Sequence, residues 1–359
     1  MRTMTVEEMM VKDEKCLLID LRSQMEFQQG TINHAINLPI LDDTERAIVG
    51  TIYKQESREK AKLTGIKHVS AKLEKLVEEV SLLAKSDKEL VLFCSRGGYR
   101  SGPFVQLLNS LGVDSHQLVG GYKAYRHYVL DYYQHRMAMD HEFIVLHGNT
   151  GCGKTVILKE LSSRGIPAID LEGLAQNSGS VFGFIGHSTE NLTQKQFDSL
   201  LLHQLIHFKN QPVFIESESQ RIGSVTIPKK MHQQMESGVH VLLDTSVENR
   251  VDQVVEDYCD ANTEFHESLH KAIHGLMKFL GHEHIKRLNH LLDQKAYHSI
   301  ARDLIENYYD PLYKHSIEKY SYDLKITYDT INEAVNLLSN HYFTIKTGFV
   351  GNEEQNDEE

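Results

Sequence analysis

The sequence predicts an α/β protein of two modules, the second a doubly wound parallel sheet with a helical C-terminal part. Three observations predict it. Short apolar runs alternate with helical stretches, the pattern of parallel strands joined by helices. Two of those runs, ending near Cys94 and His147, pass into glycine-rich loops that open a helix. The length, 359 residues, exceeds what a single core usually serves. The expected boundaries are a first module over 1–135, a P-loop domain over 140–260, a helical part over 261–350 with a closing strand and helix packed on the P-loop domain, and an acidic disordered tail over 351–359.

In the first module, Cys16-Leu17-Leu18-Ile19-Asp20-Leu21 reads as a short buried strand. Asp20, Arg22, Glu26 and Gly30 follow in a spacing that resembles the opening signature of rhodanese domains. Asp20 and Arg22 can tie the strand end to the next loop, and Gly30 permits a tight turn. A second apolar run, Leu90-Val91-Leu92-Phe93, ends at Cys94-Ser95-Arg96-Gly97-Gly98-Tyr99-Arg100-Ser101. A helix over about 101–111 follows, with Gly112 as its stop. This loop aims backbone N–H groups inward and places Cys94 beside a helix N-terminus and between two arginines. Each feature favours thiolate over thiol. The same cradle suits an anionic donor such as thiosulfate or selenophosphate. The expected fold is therefore a rhodanese-like α/β domain with Cys94 as nucleophile, Arg96 and Arg100 beside it, and Ser95, Gly97, Gly98 and Tyr99 in its loop.

Between Pro39 and about Gly65 the chain is longer than a plain rhodanese domain requires, and this stretch contains Arg46 and Lys54. Further on, Gly120-Gly121-Tyr122-Lys123-Ala124-Tyr125-Arg126 is cationic and aromatic together. That composition suits stacking on bases and touching phosphates, or equally a helix start packed with tyrosines. Cys16 reads as core. Cys259, between acids, has no activating neighbour.

In the second module the strand Glu142–His147 runs into Gly148-Asn149-Thr150-Gly151-Cys152-Gly153-Lys154-Thr155, a complete phosphate loop, and then a helix over 156–162. The glycines let the backbone wrap an anion. Lys154 supplies a point charge, and Thr155 can bind Mg²⁺ that bridges phosphates. Cys152 reads as a small filler. A second strand, Pro212–Glu216, ends in acid, so Glu216 or Glu218 can hold a metal-bound water or act as a base. A third strand spans 240–244. In a doubly wound sheet the P-loop, Asp170 and Glu216 would converge at the strands' carboxyl ends. The region 262–315 is helical. A short strand over 324–326 and a helix over about 330–340 close the domain.

Composition narrows the function classes. Hydrophobic residues make up 40% and charged residues 25%, as in ordinary soluble domains. No apolar run approaches the roughly 20 residues that span a bilayer. The acidic N-terminus does not read as a signal peptide. Four scattered cysteines form no disulfide framework and fit a reducing cytoplasm. The net charge of −12 includes five acids after Gly351, and it does not advertise a nucleic-acid binder. An RNA substrate would need local basic patches, for which Arg46, Lys54, Lys123, Arg126 and Arg221 are available. The 21 histidines show no metal-ligand spacing, so no metal is assigned to them.

The two signatures in this order resemble the tRNA 2-selenouridine synthase family. The resemblance extends to Asp170–Ala175, Gly179–Gly183, Glu216–Gly223, Gly120–Arg126 and Tyr308–Tyr313, and covers about residues 15–330. Ser95 and Tyr99 fall at variable positions, and Cys152 stands where serine is commoner. The resemblance implies an enzyme acting on 2-thiouridine at the tRNA wobble position. It implies S-geranylation from geranyl diphosphate at the P-loop, then replacement of the S-geranyl group by selenium from selenophosphate, carried on Cys94 as a selanyl adduct. The apolar helices after about 265 are one place for a geranyl pocket, or plain core. Two alternatives share the motifs: a sulfurtransferase fused to an ATP-dependent kinase or adenylyltransferase, and a non-catalytic tRNA-binding or sensor protein.

Overall fold

The computed structural model describes residues 2–137, 141–176, 192–258 and 263–353. The stretch Gly179–Gly183, Cys259 and the tail residues 354–359 lie outside the described residues. The chain divides into two compact units. The first comprises Met1–His135 with Thr193–His203, and the second Arg136–Leu192 with Gln204–Glu359. Residues 193–203 thus group with the first unit, although the sequence reading placed them within 140–260.

The first unit holds a five-stranded sheet of β1 (Thr3–Met4), β2 (Cys16–Asp20), β3 (Ile36–Asn37), β4 (Glu89–Phe93) and β5 (Ser115–Leu118). Its order is β1-β5-β4-β2-β3, and every pairing is parallel. Leu90 to Phe93 of β4 are all buried, as a central parallel strand requires. Helices α1 (Val6–Lys12), α2 (Gln24–Gln28), α3 (Asp43–Gln55), α4 (Arg58–Ser70), α5 (Leu73–Leu83), α6 (Ser101–Ser110) and α7 (Gly121–Asp131) accompany the sheet. The extra length after Pro39 is the helix pair α3 and α4. Helix α3 starts in a capping box, where the Glu45 N–H donates to Asp42 and the Asp42 N–H donates to Glu45. Ser57 accepts from the Lys60 N–H to start α4.

At the end of β2, Arg22 Nη2 donates to Asp20 Oδ2 at 2.6 Å and to the Gly30 carbonyl at 2.7 Å. The guanidinium also lies 3.8 Å from the centre of the Tyr122 ring. Asp20 and Arg22 are both buried, so neither charge is affordable without the other. The late segment adds to this unit. The Tyr125 hydroxyl lies 2.7 Å from Ser199 Oγ, and Arg126 Nη2 donates to Asp198 at 2.8 Å. Tyr122 and Tyr125 are buried. The aromatic residues of the Gly120–Arg126 stretch therefore pack inward and offer no stacking platform, and Arg126 is committed to Asp198.

The second unit has β6 (His141–His147), β7 (Ala168–Ile169), β8 (Gln211–Glu216), β11 (Val239–Asp244) and β12 (Leu324–Thr327) in one parallel sheet, ordered β12-β11-β6-β8-β7. A small antiparallel pair, β9 (Arg221–Ile222) and β10 (Val225–Thr226), follows β8. The helices Lys154–Ser163 and Ile331–Glu353 bury Ile157, Leu158, Leu161, Val335 and Leu338 in one core with Ile144, Leu146 and Phe214 of the sheet. The last helix runs to Glu353, well past the expected 340, and its start covers the sheet that β12 completes. A second core gathers Leu269, Ile273, Leu288, Leu292 and Ile300 from the later helices. Those leucines are packed against one another. Among the described residues, no helix is long and apolar enough to cross a membrane.

Candidate active sites

In the first unit, Cys94 follows β4 and its thiol is buried, 3% exposed. Burial alone pushes the thiol pKa up. The Ser101 side chain and the backbone N–H groups of Arg96, Gly98 and Ser101 push it down and outweigh burial, so the net shift is downward. Sγ lies 3.3 Å from Ser101 Oγ. Gln117 Nε2 donates to that same oxygen at 3.0 Å. This leaves the Ser101 proton free to point at sulfur. The ring of donors that stabilises a thiolate would equally receive the oxygens of an anionic donor.

The loop holds its shape through α7. The Tyr122 N–H donates to the Cys94 carbonyl and the Lys123 N–H to the Ser95 carbonyl, both at 2.9 Å. This needs backbone against backbone. Gly121 has φ +59°, and a Cβ there would overlap the Cys94 carbonyl oxygen and lie 2.6 Å from the Gly97 nitrogen. The paired glycines of Gly120–Arg126 thus brace the cysteine loop.

The two arginines behave differently. Arg96 is exposed at the loop. Arg100 turns to Glu26, with Nη1 donating to Oε2 at 2.7 Å, and its Nη2 donates to Ser95 Oγ at 2.8 Å. Burial would raise the Glu26 pKa, but Arg100, Ser95 and Arg46 prevail and hold it at about 2. Arg46 Nε stands 3.6 Å from the same carboxylate. Arg100 therefore fixes the loop and contributes positive potential from a distance. Lys54 and Lys123 are exposed, as is Tyr99, over whose ring Lys62 Nζ sits at 4.7 Å. Gly97 and Gly98 supply the turn. Glu26 and Ser101 are the site residues whose roles sequence reasoning missed. Both lay inside the signatures, but the pairing of Glu26 in the first with Ser95 and Arg100 in the second is made only by folding.

In the second unit the loop Gly148–Thr155 wraps the N-terminus of the helix Lys154–Ser163. Lys154 Nζ donates to the Gly148 carbonyl at 2.9 Å. Burial lowers its pKa, whereas Cys152, Glu172, Glu218 and Glu216 raise it, and the net shift is upward, so the lysine stays charged. Gly151 has φ +83°, and a Cβ there would meet the Arg250 carbonyl oxygen at 2.6 Å. Arg250 Nε donates to the Thr150 carbonyl at 2.9 Å, and its Nη1 donates to Asp310 at 3.0 Å. Cys152 is buried in the core, and its carbonyl accepts from the Tyr328 hydroxyl. Asn149 lies on the outer turn, where its carbonyl accepts from the Cys152 N–H at 3.2 Å.

A cleft of about 480 Å³ opens over this loop. Gly148, Thr150, Gly151, Gly153, Lys154 and Thr155 form one side. Glu172 and Glu218 form another, and Val254, Tyr313, Ile317 and Tyr320 make an apolar and aromatic wall. Glu216 sits fully buried at the end of β8. Its Oε1 accepts from the Glu172 N–H at 2.6 Å, and its Oε2 has no hydrogen-bond partner among the described residues. Burial, and then the carboxylates Glu172, Asp170 and Glu218, push its pKa well up. Glu218 is pushed up to about 8 by burial and Glu172 against the pull of Lys154. Asp170 caps the helix Leu171–Leu174, accepting from the Gly173 N–H at 2.7 Å, and does not line the cleft. Arg221 is exposed on β9 and donates to the Gly223 carbonyl at 3.1 Å. Among the described residues, no group of three or more His, Cys, Asp or Glu is arranged to hold a metal. Sequence reasoning missed Glu172 and Tyr313 as cleft residues and Arg250 as a support of the loop, since only folding brings them there.

Residues 141–343 match the family model for the tRNA 2-selenouridine synthase AAA domain, and residues 5–128 match the Rhodanese-like domain. A tRNA 2-selenouridine synthase of Hydrogenovibrio crunogenus is 35% identical over 84% of this chain and 89% of its own length. Another, of Psychromonas ingrahamii, is 30% identical over 85% of this chain and 89% of its own. A solved rhodanese-related protein from Thermoplasma volcanium covers 36% of this chain and 93% of its own, with 17% identity and a TM-score of 0.23.

Two outcomes follow from the electrostatics. Glu26→Gln should cost roughly 1–2 kcal/mol at pH 7, less than for a fully buried ion pair because this one is part-buried. Because the Glu26 pKa is depressed to about 2, its contribution is present above 4.5 and is lost as pH falls toward 2. Urea unfolding should therefore show the variants converging near pH 2; an equal gap at pH 7 and pH 2 would contradict this pairing. Glu218 has the opposite sign. Its raised pKa means the folded chain holds an extra proton between 4.5 and about 8, so stability falls as pH rises through that window. Glu218→Gln should gain on the wild type between pH 5 and pH 8 in urea midpoints, and a constant difference would rule the shift out.

Proposed function

The chain belongs to the tRNA 2-selenouridine synthase family, and from that premise we propose that it converts wobble 2-thiouridine of tRNA to 2-selenouridine in two steps at two sites. The observation that carries the reading is the pairing, on one chain, of a donor-ringed buried thiol with a P-loop cleft that has an apolar wall. The first is suited to transfer of a chalcogen, the second to a diphosphate that bears a hydrocarbon chain.

At the P-loop cleft, the substrate is geranyl diphosphate. Lys154 and the N–H groups of the loop hold its phosphates, and Tyr313, Ile317 and Tyr320 face its chain. The thiouridine sulfur attacks the first geranyl carbon, forming a C–S bond as the C–O bond to diphosphate breaks. Charge building on the leaving diphosphate is met by Lys154, which is positively charged throughout. The base loses its N3 proton as sulfur is alkylated. Glu218, with a pKa of about 8, is the cleft carboxyl matched to accept it near neutral pH. Mg²⁺ takes few protein oxygens and relies on substrate phosphates, so the absence of a three-acid cluster among the described residues does not conflict with it. Thr155 is the side chain that would hold it, and bound there it would neutralise phosphate charge.

At the second site, selenophosphate binds in the donor ring beside Cys94 and delivers selenium to C2 of the base: the P–Se bond breaks to water, a C2–Se bond forms and the C2–S bond breaks. The S-geranyl group leaves as geranyl thiol, a better leaving group than sulfide. Overall, S-geranyl uridine, selenophosphate and water give 2-selenouridine, geranyl thiol and phosphate, with no net oxidation. RNA contact falls to exposed cations. Arg46, Lys54, Lys123 and Arg221 remain available, joined by Arg58, Lys60, Lys62 and Lys67 of α4, which has one acid, Glu59. The reaction is cytoplasmic, where tRNA and reduced thiols coexist.

Cys94→Ala should abolish selenouridine formation while S-geranyl uridine still accumulates, and Lys154→Ala should abolish geranylation by about a hundredfold or more. Mass analysis of wobble nucleosides distinguishes the products. Selenation by C94A, or geranylation unaffected by K154A or blocked by ATP in preference to geranyl diphosphate, would sink this assignment of the sites.

A further inference from the structure

The first unit carries a second cavity that transfer of a small anion does not need. Its volume is about 410 Å³, and it lies among α3, α4 and α6. Its wall is hydrocarbon, with Val49, Ala61, Ile66, Val69, Phe104 and Leu107 facing in. Tyr99 and Arg100 line it as well, and both belong to the loop that begins at Cys94. The apolar surface is open to solvent: Ile66 is 62% exposed and Tyr99 64%. Selenophosphate would lose hydration in such a wall and gain nothing. Cations crowd the edge, with Lys62 over the Tyr99 ring and the Arg58 guanidinium 5.7 Å from the centre of the Tyr53 ring. An apolar pocket rimmed by cations and continuous with the cysteine loop fits a ligand that is both lipophilic and attached to a polyanion.

We propose that this cavity binds the prenyl chain of an S-prenylated nucleotide in RNA and so presents the alkylated base to Cys94. The proposal rests on the reading that the base reaches Cys94 already alkylated. It gives the helix pair α3 and α4 a function. These helices build a hydrophobic subsite onto a domain whose own chemistry is polar. Ligand pockets begin at roughly 300 Å³, so a ten-carbon chain is within the cavity's capacity. The chain's departure as a thiol would leave the cavity free for the next substrate.

The test uses the full chain and synthetic anticodon stem-loop RNA with either S-geranyl-2-thiouridine or 2-thiouridine at the wobble position. Binding is followed by fluorescence anisotropy. The wild type should prefer the geranylated RNA. Ile66→Asp, at an exposed position, should cut that preference by roughly tenfold, as when charge replaces an apolar contact, beyond the equal weakening of both RNAs that a carboxylate on the cationic helix α4 brings. Leu63→Asp serves as the comparison, since Leu63 is 68% exposed on the same helix and does not line the cavity. It should keep the preference. No preference in the wild type, an unchanged preference in I66D, or equal loss in I66D and L63D would each overturn the assignment. The RNA is supplied already geranylated, so this outcome is independent of whether the P-loop performs the alkylation.

Discussion

The first unit's chemistry depends on one close approach, the Gly121 backbone set against the Cys94 carbonyl. A buried thiol is ordinarily a poor nucleophile, because burial disfavours the thiolate. Here the loop's N–H groups turn toward sulfur and reverse that preference. They can do so only while the loop's carbonyls are occupied elsewhere. The N–H groups of Tyr122 and Lys123 occupy two of them. The Glu26–Arg100 pair then ties the far side of the loop to α2. Sheet, brace and ion pair together make one rigid cradle from a segment with little regular structure of its own.

The second unit meets a different constraint. Its cleft brings several carboxyl groups near one lysine before any phosphate arrives. Two of them, Glu216 and Glu218, respond by rising in pKa, so that part of the negative charge is absent. The lysine responds by holding its proton more tightly. The site is therefore cationic at the loop and proton-rich at the opposite wall. A diphosphate placed there would gain the lysine without meeting the full repulsion of the acids.

What could be read from the sequence was whatever lies contiguous in it. The stretches 94–101 and 148–155 announce themselves because each packs glycines and charges into one turn, and the strands before them are continuous apolar runs. Contacts between distant residues left no such mark. Glu26 and Arg100 are 74 residues apart, and Arg250 and Asp310 are 60 apart. Nothing in the composition of Gly120–Arg126 distinguishes tyrosines that stack on a ligand from tyrosines that fill a core. The partners that decide it, Arg22 and Ser199, come from elsewhere in the chain. Asp170 illustrates the converse. An acid after a short strand suits a metal site, yet its nearest orphan N–H is Gly173's, and capping took it.

The account stands on Cys94 being a reactive thiolate in spite of its burial. The direct measurement is the rate of Cys94 alkylation by iodoacetamide as a function of pH, in the wild type and in Ser101→Ala, with the other cysteines replaced. The account predicts an inflection below that of a free thiol and an upward shift in the variant, which lacks the hydroxyl 3.3 Å from sulfur. An inflection at or above the free-thiol value, unmoved by the substitution, would mark Cys94 as an inert core residue and contradict it.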